Sequence, residues 1–67
     1  MGYYDQGFEK GVNEANFYLR NPQEREAIGT IRQLYQIASW GLVPSSDGFH
    51  WYKGIKEGIE SKLDKIP

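Results

Sequence analysis

Glycine recurs at the same spacing near both ends of this chain of 67 residues. Gln6-Gly7-Phe8-Glu9-Lys10-Gly11-Val12 reads as polar, glycine, apolar, two charges, glycine, apolar, and Lys53-Gly54-Ile55-Lys56-Glu57-Gly58-Ile59 reads the same way. Both copies lie in stretches with helical periodicity. A glycine inside a helix costs about 1 kcal/mol relative to alanine, so four of them demand compensation in a chain this small. Either the glycines let two helices approach closely within the fold, or they leave a smooth face for a partner. In membranes this spacing joins spanning helices, but the charged flanks here exclude that setting.

The length allows one domain, near the lower limit at which a single core holds itself together. The usual staples are missing. With no cysteine there is no disulfide and no thiolate zinc site, and a single histidine builds no metal centre. Aromatic residues make up 15% of the chain, enough ring area for a core or for an interface. A net charge of −1 argues against nonspecific nucleic-acid binding, which needs clustered lysine and arginine. No apolar run reaches the length of a membrane span, and Met1-Gly2-Tyr3-Tyr4-Asp5 does not open a signal peptide. These features point to a cytoplasmic protein with no membrane partner.

Periodicity predicts three helices and no strand, hence a compact all-α domain over 1–67 with short loops and antiparallel neighbours. The first helix is expected over 3–19, with Tyr4, Phe8, Val12, Ala15 and Leu19 on one face beside Gly7 and Gly11. The second is expected over 22–40. Asn21, Pro22 and Glu24 supply a start signal, and Gly41 with Pro44 a stop. Its stripe is Ala27, Ile28, Ile31, Leu34, Tyr35 and Ala38, with Ile37 and Trp40 off it. Ser45-Ser46-Asp47-Gly48 reads as a turn with capping residues before a third helix over 47–65, whose stripe is Tyr52, Ile55, Ile59, Leu63 and Ile66. Lys62 and Lys65 would suit its C-terminal end.

No catalytic motif emerges: no phosphate loop, nucleophile elbow, zinc spacing or calcium loop. No cofactor is implied, and an enzyme is not expected. The carboxylate pairs Glu24/Glu26 and Glu57/Glu60 read as surface charges, as do Arg20, Arg25 and Arg32 among them. The run Phe49-His50-Trp51-Tyr52 is more informative. Successive helical residues point in different directions, so His50 or Trp51 should be partly exposed. Tyr3, Tyr4, Phe17 and Tyr18 form a second aromatic group that could line the core or, with Ile37 and Trp40, a self-association surface.

The ends of the chain resemble small bacterial and phage proteins of the ribosome modulation factor type. Gly7-Phe8-Glu9-Lys10-Gly11 is similar to the pattern of their first helix. Pro44 followed by Trp51-Tyr52-Lys53-Gly54-Ile55-Lys56-Glu57-Gly58 is similar to the loop and helix that follow. The resemblance implies a bacterial or mobile-element origin and a two-helix hairpin seated on ribosomal RNA. The segment from Pro22 to Trp40 adds a helix to that plan, and the acidic balance departs from its basic surface.

The sequence therefore leads to a non-enzymatic protein-binding module, acting as adaptor, regulator or inhibitor of a larger protein. Its expected contact residues are Trp51, His50, Tyr18 and Trp40, with Gly54 and Gly58 beside them. A ribosome- or RNA-associated factor and a self-associating homodimer are the alternatives.

Overall fold

The closest helix contact in the molecule joins its two glycine-bearing segments, which are the first and last of three helices. In a computed structural model, describing residues 2–45 and 47–67, these are α1 (Tyr3–Arg20), α2 (Arg25–Trp40) and α3 (Phe49–Glu60). The all-α, three-helix expectation holds, and no strand occurs among the described residues. The largest interhelical contact is α1 with α3, and α2 packs less extensively on both.

Each glycine of the two patterns faces main chain of the other helix. A methyl group on Gly7 would overlap the Trp51 carbonyl, and one on Gly11 the Ile55 carbonyl. Reciprocally, one on Gly54 would overlap the Tyr4 carbonyl and stand 2.8 Å from the Phe8 nitrogen, and one on Gly58 would overlap the Phe8 carbonyl. The partners advance together along both helices, so α1 and α3 run parallel. Exchanging Gly7 for Gly54, Gly11 for Gly58, Tyr4 for Trp51 and Phe8 for Ile55 maps this set of contacts onto itself. The sequence echo is thus the two halves of one pseudo-twofold contact. The geometry directs glycine Cα–H groups at carbonyl oxygens, a weak hydrogen bond that recurs at close helix crossings.

The core lies where α2 covers this pair. Ala15, Ile31, Ala38, Ile55, Ile59 and Leu63 form one buried cluster, with Tyr18, Leu34, Tyr35, Trp51, Tyr52 and Ile66 packed around it. Among the described residues only Ile31, Ile55 and Ile59 are large and fully buried, each contributing on the order of 1.5–3 kcal/mol. The aromatic rings form the rim of the core instead of its centre. Leu19, expected on the buried stripe of α1, is 49% exposed.

The helix ends differ from expectation for local reasons. Asn21 terminates α1: its backbone N–H donates to the carbonyls of Phe17 and Tyr18, and its side-chain amide donates to Phe17 as well. It is therefore not spent on α2. Pro22 and Gln23 form a turn, closed by the Glu24 N–H donating to the Asn21 carbonyl at 3.1 Å, and α2 begins at Arg25. At the other end, Gly41 keeps right-handed backbone with φ −75°. Its role is space: a Cβ there or on Gly48 would collide with the Tyr52 ring, which lies against both glycines.

The turn expected at 45–48 includes Ser46, which lies outside the described residues; Gly48 stands at the head of α3 with no side-chain cap. The Ser61 hydroxyl donates to the Gly58 carbonyl at 2.6 Å where α3 stops. The chain then turns so that Leu63 buries and Ile66 is half-buried. Arg32 Nε donates to the Pro67 carbonyl at 2.6 Å, tying this tail to α2. Lys62 and Lys65 thus lie beyond the helix they were expected to close.

Glycine substitutions separate the two kinds of position. Gly54→Ala and Gly11→Ala are expected to lower stability in urea unfolding by about 1–3 kcal/mol, because backbone cannot yield. Gly29→Ala on α2, with open space at its Cβ position, is expected to raise stability by about 1 kcal/mol. A Gly54→Ala chain as stable as the parent would mean that α1 and α3 are not in this contact.

Candidate functional site

Parallel α1 and α3 bring their N-termini to the same end of the molecule. There lies a cleft of about 500 Å³ lined by Tyr3, Gln6, Asp47, Gly48 and Trp51. Tyr3 is 72% exposed on one wall. Trp51 is half-buried on the other, its ring centroid 5.2 Å from that of Tyr52. Trp51 is thereby in contact with a ring that lies against Gly41 and Gly48. The Gln6 amide and Asp47 carboxylate give the otherwise aromatic cleft a polar edge.

The sequence-derived contact residues do not all gather here. His50 is exposed beside the cleft, its ring 5.3 Å from Phe49 in an edge-to-face arrangement. Gly54 and Gly58 are buried against α1 and offer no open face. The alternative of internal packing accounts for them. Tyr18 is half-buried against the core. It lies at the far end of α1, roughly 20 Å along the axis from the level of Trp51. Trp40 is 70% exposed on the outward side of α2 and does not line the cleft.

Sequence reasoning missed Gln6, Asp47 and Gly48 as neighbours of Trp51. The missing signal was direction. Once the glycine pairs are aligned in parallel, Tyr4 is level with Trp51, which brings Tyr3 and Gln6 in the first turn of α1 beside Asp47, Gly48 and Trp51 at the head of α3.

The polar contacts elsewhere tie helices together. Tyr4 donates its phenol proton to Glu57 Oε1 at 2.6 Å, joining α1 to α3. Tyr35 donates to Glu60 Oε2 at 2.9 Å, joining α2 to α3, and Lys56 Nζ stands 3.3 Å from the same oxygen. The hydrogen bond to Glu57, then desolvation, raises the Tyr4 pKa above its ordinary value. Desolvation, then the bond to Glu60, raises that of Tyr35. The bond to Glu60 raises that of Lys56. Tyrosines held in the protonated form are not poised as bases at neutral pH. Among the described residues no group of three or more His, Cys, Asp or Glu could hold a metal ion, and no helix is long and apolar enough to cross a membrane.

No protein-family model, curated protein or solved structure matches the chain.

The raised phenol values set an alkaline limit on stability. A folded-state pKa above the unfolded value, about 10 for tyrosine, gives a contribution complete below that pH and lost as pH rises through the folded value. Lys56 adds a loss of the same sign. Stability in urea is expected to fall above about pH 10. The fall should be shallower in a chain carrying Tyr4→Phe and Tyr35→Phe. An unchanged alkaline slope would show that neither phenol–carboxylate bond persists in solution.

Proposed function

We propose that this chain is a non-enzymatic protein-binding module, an adaptor, regulator or inhibitor that docks on a larger protein through the Tyr3–Trp51 cleft. The observation that carries this reading is the arrangement of the cleft itself. A half-buried tryptophan in ring contact with Tyr52 and an exposed tyrosine line the same open cleft of about 500 Å³. Tryptophan and tyrosine are the residue types most enriched where binding energy concentrates. Trp51 is pre-positioned by the core, so little conformational freedom remains to be lost on binding. Gln6 and Asp47 at the edge suit a partner side chain with an apolar stem and a hydrogen-bond donor at its tip. The alternative of an RNA-associated factor would require a basic surface, and the cleft carries a carboxylate.

Tyr3 offers the cleaner test, because it is exposed and its loss leaves the core intact. Tagged protein should retrieve one stoichiometric protein from a bacterial lysate, and ribonuclease should not remove it. With that partner purified, Tyr3→Ala is expected to weaken binding by more than about 1 kcal/mol with unchanged stability. Trp51→Ala should weaken it further, with some loss of stability. Ribosomal proteins that disappear after ribonuclease, or full affinity in the Tyr3→Ala chain, would overturn the assignment.

A further inference from the structure

Gly29 is the one interior helical glycine of the described chain whose presence the fold does not require. It lies in the second turn of α2, exposed, with nothing within 4 Å of its Cβ position. The glycines inside α1 and α3 each sit against a facing backbone, and here none is present. What surrounds it is equally unusual. At 100° per residue, Gly29, Gln33, Gln36 and Trp40 fall within about 60° of one another. That line is opposite the buried Ala27, Ile31 and Ala38. An outward helix face is ordinarily the charged one. From Gly29 to Trp40 this line carries no charge, the charges of the outward face being Arg25 and Glu26 before it and Arg32 at its flank, and it ends in a tryptophan 70% exposed.

We infer that the outward face of α2 joins two copies of this chain as an antiparallel pair, with Trp40 of each copy seated on Gly29 of the other. The line is complementary to itself. A flat site at one end and a large ring at the other lie three turns apart on one face. A twofold axis between them sets each ring over a flat site. In that register Gln33 of one copy stands opposite Gln36 of the other, twice. Each amide both donates and accepts, so the two pairs satisfy one another. The N-terminus of each α2 meets the C-terminus of the other, the favourable alignment of helix dipoles. Arg25 and Glu26 stand one turn before Gly29, beyond the seated ring at the outer ends of the pairing, and Arg32 at its flank is engaged by its bond to Pro67. The molecule already uses the same device internally, where the Tyr52 ring lies on Gly41 and Gly48. The pairing is independent of the docking cleft and shares no residue with it.

Sedimentation equilibrium over a range of concentrations tests this directly. The mass should rise from 7.7 kDa toward twice that value as concentration increases. Trp40→Ala and Gly29→Val should each weaken association about tenfold or more while circular dichroism stays unchanged. Tyr3→Ala should leave it intact. The register has its own readout. Mixed Gln33→Cys and Gln36→Cys chains should form more oxidised heterodimer than either chain alone forms homodimer. A constant mass of 7.7 kDa up to millimolar concentration would overturn the inference. So would a dimer indifferent to either substitution, or the absence of a heterodimer preference.

Discussion

A backbone carbonyl of one helix resting against a glycine α-carbon of another, repeated four times, is the contact on which this structure depends. It fixes the distance between α1 and α3 more tightly than side-chain packing could, since any Cβ at the contact would separate them. It also fixes their direction. Carbonyls Tyr4 and Phe8 meet Gly54 and Gly58 in the same order in which Trp51 and Ile55 meet Gly7 and Gly11, which only a parallel pair can satisfy. Parallel helices align like dipole ends and gain nothing electrostatically from it. The intervening α2, running the other way, and Asp5 in the first turn of α1 offset that cost.

Small residues at the centre of the fold leave the large ones at its edge. With glycine and alanine occupying the line between α1 and α3, the core needs only three fully buried isoleucines, and the rings of Tyr18, Tyr35, Trp51 and Tyr52 are pushed outward as a collar. An aromatic collar is half-wet by construction. Trp51 can therefore stabilise the fold with one side of its ring and present the other. The binding surface proposed for this chain thus follows from the same economy of side-chain volume that permits the helices to touch.

The helices and their buried stripes were legible in the sequence because period alone decides them: Ala27, Ile31 and Ala38, or Ile55 and Ile59, admit few other arrangements. The helix ends were not. Asn21 carries signals for ending one helix and for starting the next. Three-dimensional geometry decided that its side chain serves the first. Gly41 resembles a helix terminator but is small for the sake of Tyr52, a residue distant in sequence. The same limit applied to the site. Trp51 stood out by type, whereas Gln6 and Asp47 are unremarkable until the direction of one helix against another is known. Tyr18 is a natural companion to Trp51 by composition, but the axial rise of α1 separates them.

The parallel pairing of the outer helices also bears on how the molecule comes into being. Synthesis proceeds from the N-terminal end, so α1 leaves the ribosome well before α3 exists to receive it. The glycines that weaken α1 as an isolated helix have no compensation during that interval. Its partner lies more than forty residues further along, and closing that loop must precede any reward from the contact. The nascent chain therefore waits, with α1 unsupported, until α3 is made. The four glycine–carbonyl contacts thus become available only when both ends of the pair exist to meet.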